Sequence, residues 1–137
     1  MSDDRVAVVL DTNVFVAAYW APRSASARVI QACIDGSLRA VYTVESRRET
    51  LVVLRKIKIP DGYVRSLDAY WGAAELVEAA RVDDVPIDDP EDRKFLEAAA
   101  GGNADYLVSN DDHLLSVGYI ARAEILSPGS LARVLGL

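Results

Sequence analysis

The sequence predicts an α/β domain built on a mainly parallel sheet. Three observations carry this. Short apolar, β-like runs alternate with helical stretches along all 137 residues, the length of one ordinary domain. The first run, Val6-Ala7-Val8-Val9-Leu10, is apolar at every position, the pattern of a strand covered on both faces. Hydrophobic residues make up 51% of the chain, enough to fill a core and to exclude global disorder.

The elements follow in order. After the first strand, Asn13 to Trp20 reads as a short helix, broken by Pro22-Arg23-Ser24. Ser26 to Asp35 is a second helix, with Val29, Ile30, Cys33 and Ile34 as its apolar stripe and Gly36 as its stop. Arg39 to Thr43 is the second strand and Val44 to Lys56 the next helix. Pro60-Asp61-Gly62 breaks the chain, and Tyr63 to Ala80 reads as the longest helical segment, with Leu67, Tyr70, Trp71, Ala74 and Val77 near one face. Val82 to Ile87 is the third strand. Asp89 then caps a helix that runs to Ala100, with Pro90 at its first position and Gly101-Gly102-Asn103 ending it. Tyr106 to Ser109 is the fourth strand, Asn110-Asp111-Asp112 a turn, and His113 to Val117 a brief helix. Ala123 to Leu126 is the last strand, and Ser127 caps a C-terminal helix.

Composition excludes several function classes. No apolar run approaches the ~20 residues that cross a bilayer, and the acidic start Met1-Ser2-Asp3-Asp4 is unlike a secretory signal. A cytoplasmic protein without a membrane partner is expected. One cysteine, Cys33, permits neither an internal disulfide nor a cysteine-rich zinc site. One histidine, His113, excludes a histidine-rich metal site. With 15 Lys and Arg against 21 Asp and Glu, the net charge of −6 is the wrong sign for holding nucleic acid by charge alone. The chemistry left is that of carboxylates.

The positions of the acids matter more than their number. Asp11 follows the first strand and Asp111 follows the fourth, and residues just past the carboxyl ends of parallel strands line the ligand crevice of such sheets. Asp92 lies in the first turn of a helix on the same edge, and Glu49 lies two turns into another. Each has an ordinary explanation: Asp11 as a helix cap, Asp92 as half of a capping box, Asp111 as turn chemistry, Glu49 as a solvated helix residue. Their joint placement raises the functional reading, because clustered carboxylates need protons or cations to neutralise them. Without a His or Cys cluster, an all-oxygen site suits Mg²⁺ or Mn²⁺.

The run Val8-Val9-Leu10-Asp11-Thr12-Asn13-Val14-Phe15-Val16 resembles the opening of the PIN-domain nucleases, a family that includes the VapC-type toxin ribonucleases of VapBC toxin–antitoxin pairs. Three later runs agree in the same order: Ser46 to Leu54 around Glu49, Asp89 to Ala99 around Asp92, and Asn103 to Leu115 around Asp111. The first and last runs are the specific ones; the Glu49 run is weak alone. The resemblance spans nearly the whole chain and implies one nuclease domain over residues 1–137. It also implies a three-layer α/β/α sandwich with a parallel five-stranded sheet in the order 3-2-1-4-5. It places the catalytic acids at Asp11, Glu49, Asp92 and Asp111, holding one or two Mg²⁺ or Mn²⁺ ions. Ser109 is expected to bind an acid or a water of the ion, and Asn13 to brace the Asp11 loop. The implied activity is endonucleolytic hydrolysis of RNA by the toxin of a type II pair, with a cognate antitoxin as partner.

One departure stands out. Many members carry an acid two residues after the Asp111 position, where this chain has His113. The readings are a weaker metal subsite, a phosphate contact or a proton shuttle, against the commoner fate of a packed or solvated ring. Asp112 is a spare carboxylate, and Glu45 replaces Glu49 if the helix shifts by one turn. For substrate, Arg23, Arg47 and Arg48, with Arg28, Arg55, Lys56 and Lys58 nearby, are phosphate contacts or ordinary solvated charges. Tyr19, Trp20, Tyr70 and Trp71 either stack on bases or belong to the core or an interface, and the second is expected. Trp71 and its neighbours are also a candidate homodimer or antitoxin surface. The main rival is a catalytically weak or inactive PIN-like module that binds RNA or protein without cutting. Phosphotransfer folds fit less well: a second Asp is missing at Asn13, and the lysines, Lys56, Lys58 and Lys94, do not follow a late strand.

Overall fold

The fully apolar run near the start of the chain forms β1 (Ala7–Leu10), buried at all four positions. The structure, a computed structural model, describes residues 3–87 and 89–137. After β1 come α1 (Thr12–Trp20), α2 (Ala25–Ile34), β2 (Arg39–Tyr42), α3 (Val44–Lys56), α4 (Asp61–Ser66), α5 (Asp68–Ala73) and β3 (Glu75–Leu76). The second half adds α6 (Pro90–Gly101), β4 (Tyr106–Val108), α7 (Asp112–Val117), β5 (Tyr119–Ile120), β6 (Ala123–Leu126) and α8 (Pro128–Leu135). Short polar side chains start most helices: Asp11, Ser24, Thr43, Asp89, Asp111 and Ser127 each accept an amide hydrogen of the helix they cap. Among the described residues no helix is long and apolar enough to cross a membrane.

The strands lie in the order β3-β2-β1-β4-β6-β5. The first five in that order are parallel and follow the expected 3-2-1-4-5 topology; β5 adds a two-residue antiparallel strand at the edge, paired through Tyr119 with Glu124. Because side chains alternate along a strand, β1 feeds both faces. Val8 and Leu10 pack with Phe15, Val29, Tyr70 and Leu131, while Val9 packs with Phe95, Leu96 and Leu114. The sheet is thus covered on both sides, which is why β1 carries no polar residue. Helix α3 touches α1 of one layer and α6 of the other.

The third strand is not where the sequence pattern places it. Tyr63 to Ala80 does not form one helix: α4 and α5 meet at Leu67, and Ala74 turns extended at ψ 154°. Glu75 and Leu76 then pair with Val41 and Tyr42, and Arg39 holds Glu75 at 2.6 Å. The free edge of β2 overrides the helical stripe of this segment. Val82 to Ile87, expected as a strand, forms none. Its carbonyls at Val82, Val85 and Ile87 all accept from the Arg93 guanidinium instead. Upstream, the Ala80 amide bonds the Glu97 carbonyl, and the backbone passes so close to α6 that a Cβ on Gly101 would lie 1.9 Å from the Glu78 carbonyl oxygen.

Of the four aromatic residues singled out, Tyr70 and Trp71 belong to the core, and Trp20 does not. Tyr70 and Trp71 are buried against Phe15, with Tyr42 edge-on to Trp71. Neither can stack on a base, and Trp71 offers no partner surface. Tyr19 is half-buried, while Trp20 is 71% exposed.

Candidate active site

β1 and β4 are neighbours, yet the chain crosses from β1 to β2 on one side and from β4 towards β6 on the other. Loops leaving such a pair part and open a crevice at the carboxyl edge of the sheet. Asp11 stands directly beyond β1, and Asp111 caps α7 beyond β4. Asp11 takes the Thr12 amide on Oδ1 at 2.7 Å, and Asp111 takes the His113 amide on Oδ1 at 2.8 Å. Capping and a place in the crevice are therefore compatible: the cap fixes the carboxyl at the edge. Asp92 enters from the first turn of α6, behind the Asp89 cap, and Glu49 from the middle of α3. Asp11, Glu49, Asp92 and Asp111 line a single cavity of about 230 Å³, with Asn13 and Glu91 beside them.

Ser109 ties the two strand ends together. Fully buried, its Oγ donates to Asp11 Oδ2 at 2.6 Å and accepts the Asp111 amide at 2.9 Å. Asn13 Oδ1 accepts the Asn110 amide at 3.2 Å, so it joins α1 to the loop that carries Asp111. The hydroxyls of Thr12 and Thr50, 3.0 Å apart and buried, couple α1 to α3 beside Glu49. This last pair was not singled out from sequence; its signal was the buried stripe Ser46, Thr50 and Leu54 at helical spacing.

The charges in the cleft strain one another. Burial pushes the Asp11 carboxyl up to about 6, with Asp111 and Glu49 adding to the rise and the Ser109 and Thr12 hydrogen bonds opposing it. Asp92 is also pushed up to about 6, first by desolvation, then by Asp111, Asp89 and Asp11. Lys94, on α6, reaches Glu49 Oε1 at 3.2 Å and offsets part of the charge. Carboxylate oxygens thus converge from four elements, and two of the groups resist ionisation. That donor set fits a hard divalent cation with oxygen ligands, Mg²⁺ or Mn²⁺, which would offset the burial and, after it, the repulsion that raise both acids. Lys94 and Glu91 were not named as site residues from sequence, although both lie in the run around Asp92; nothing in their spacing separates them from solvated helix charges.

The arginines singled out from the sequence do not come to this cleft. Arg47 and Arg48 lie on another face of α3 and line a separate groove of about 310 Å³ with Arg55, Leu51, Val52 and Leu76. At about 100° per residue, that face points away from Glu49. Arg47 also sits 5.5 Å from the Trp71 ring centre, engaged with the core. Arg23 is exposed in the turn between α1 and α2, outside the cleft lining, and its carbonyl accepts from Arg28. Glu45 and Asp112 are exposed and do not line the cleft. His113 is solvated, as expected, with its ring beside Asp111.

A family model of the PIN domain matches residues 7–113, most of the chain. The chain belongs to the PIN-domain family. The matched segment contains all the cleft acids of this PIN domain. No curated protein matches it in sequence. Two solved structures resemble it in fold. VapBC2 from Rickettsia felis, solved bound to a DNA fragment from the promoter, superposes with a TM-score of 0.64 at 15% identity, over 89% of this chain and 98% of that one. PAE2754 from Pyrobaculum aerophilum gives a TM-score of 0.64 at 16% identity, over 96% of this chain and 90% of that one.

Proposed function

We propose that this PIN domain, as a single unit over residues 1–137, is a metal-dependent endoribonuclease and the toxin of a type II toxin–antitoxin pair. The observation that supports it most is the convergence of Asp11, Glu49, Asp92 and Asp111 on one cavity at the switch point of the sheet. Asp11, Asp92 and Asp111 would hold one or two Mg²⁺ or Mn²⁺ ions, with Glu49 binding directly or through water. Such an ion supplies the Lewis acidity that hydrolysis of a phosphodiester needs near neutral pH. The chain's own part is to fix the donors. Ser109 orients the Asp11 carboxyl, Asn13 holds the Asp111 loop against α1, and Lys94 sets Glu49. Hydrolysis breaks the bond from phosphorus to the 3′ oxygen and leaves a 5′ phosphate and a 3′ hydroxyl. The Rickettsia felis neighbour in fold is a VapBC2 assembly, which supports an antitoxin as partner.

A random RNA pool incubated with the protein and Mn²⁺, followed by sequencing of new 5′ phosphate ends, tests this. Cleavage at defined sites is expected from the wild type and none from Asp11→Asn. Cleavage retained in a clean preparation of that variant sinks the proposal. A non-cutting binding module is the second reading, favoured by the Lys94–Glu49 ion pair, which already neutralises one acid. Such a module binds RNA equally well with and without the divalent ion.

A further inference from the structure

We infer that His113 is a ligand of a divalent ion held together with Asp92 and Asp111, and that it gives the site a preference for nitrogen-binding transition ions over Mg²⁺. This rests on the proposed metal dependence and concerns the position at which the chain departs from its family's pattern. Asp92, Asp111 and His113 each offer one ligand atom, and these atoms lie within 4.8 Å of one another. They come from two elements, the first turns of α6 and α7.

The ring is not committed elsewhere. Its Nδ1 lies 3.8 Å from Asp111 Oδ1, beyond hydrogen-bond range, and the side chain is 86% exposed. A cavity of about 250 Å³ lined by Asp89, Asp92, His113 and Ser116 adjoins the acid cleft, with which it shares Asp92. The ring therefore has room to turn. Around a tetrahedral ion with bonds of about 2.1 Å neighbouring donors lie about 3.4 Å apart, so a closure of up to about 1.4 Å completes the set. A solvated side chain supplies that movement without disturbing the core.

The donor chemistry sets the selectivity. Carboxylate and water oxygens suit Mg²⁺ and Mn²⁺, whereas imidazole suits Zn²⁺ and Ni²⁺. An acid at this position would add a third hard oxygen and a negative charge. The imidazole adds neither, so Mg²⁺ is held by the acids alone, while a borderline ion gains a bond.

The single histidine of the chain makes the test direct, because its ring nitrogens give the only imidazole signals in a ¹⁵N spectrum. The full-length protein is titrated with Zn²⁺ and with Mg²⁺ by calorimetry and by NMR. Wild type is compared with His113→Ala, His113→Asp and the Asp92→Asn, Asp111→Asn double variant. Zn²⁺ is expected to shift one ring nitrogen, and Mg²⁺ to leave both in place. His113→Ala should weaken Zn²⁺ binding by about tenfold or more while leaving Mg²⁺ binding within about twofold. His113→Asp should move the preference towards Mg²⁺. If both ions bind but the ring does not respond, or if His113→Ala leaves Zn²⁺ affinity intact, the inference fails while the metal site stands. The same holds if the Zn²⁺-induced ring shift survives in the double variant. If neither ion binds the wild type, the inference and the metal-dependent reading fall together.

Discussion

Replacing Asp11 with Asn should stabilise the metal-free protein at alkaline pH while removing the proposed nuclease activity. Asn keeps an acceptor for the Thr12 amide and can donate its Nδ2 to Ser109 Oγ, which reverses that bond and leaves the Ser109 hydroxyl hydrogen without its former acceptor. What disappears is a buried charge. In the folded chain the Asp11 carboxyl is lifted from 3.8 to about 6, which costs about 3 kcal/mol once it is ionised, at about 1.4 kcal/mol per pH unit between the two values. The folded form holds this proton to higher pH than the unfolded form. Stability therefore falls as pH rises from about 4 through 6 and levels off above that. Between pH 5 and pH 8 the Asp11 share of the loss is about 1.5 kcal/mol. Urea denaturation in EDTA at those two pH values measures it. The wild type should lose stability across the interval; the variant should lose less and exceed the wild type at pH 8 by up to about 3 kcal/mol. Saturating Mg²⁺ should restore the wild type and not the variant, by about 2.7 kcal/mol at a hundredfold excess over Kd. Parallel pH profiles, or a variant less stable than the wild type at pH 8, would refute the view that Asp11 is a strained carboxylate.

Other perturbations have equally definite outcomes. Ser109→Ala removes the donor to Asp11 and strands the Asp111 amide; it should cost about 1–3 kcal/mol and move the pH dependence of stability further upward, read by the same denaturation series. Arg93→Ala releases the carbonyls of Val82, Val85 and Ile87, and amide exchange across residues 80–87 should accelerate with a loss of about 1.5–3 kcal/mol. Gly101→Ala drives a methyl group onto the Glu78 carbonyl oxygen; thermal unfolding should show a loss of about 1–3 kcal/mol, and exchange at Ala80 should rise as its bond to Glu97 is displaced. Tyr70→Ala empties the centre of the aromatic cluster and should cost about 3–5 kcal/mol without altering metal affinity in the fraction that remains folded.

Much of the sheet was legible because local signals agreed with the tertiary context. Val6 to Leu10 is apolar throughout and is covered on both faces. Asp89-Pro90 marks the start of α6 and Gly36, at φ 87°, follows α2 as its stop. The third strand was not legible. Glu75-Leu76 is two residues long and exposed, with no alternation to reveal it; only the free edge of β2 makes it a strand. Val82 to Ile87 carries the β-like residues, but Arg93 takes the carbonyls that a ladder would need. For the candidate site, strand ends betrayed Asp11 and Asp111, since strand position predicts the crevice directly. The arginines Arg47 and Arg48 were clustered in sequence yet face away, because they stand about 200° and about 100° round the helix from Glu49. The Lys94–Glu49 pair joins residues of α3 and α6, and no local pattern announces a contact set by helix packing.

The most direct test is calorimetric titration of Mn²⁺ into the metal-stripped protein, beside an Asp11→Asn, Asp111→Asn double variant whose folding is verified by circular dichroism. Saturable binding by the wild type and its loss in the variant are the expected result, and they would establish one carboxylate ion site at the edge of the sheet. Undiminished binding in the variant, or none in the wild type, would contradict the assignment of the cleft acids as metal ligands.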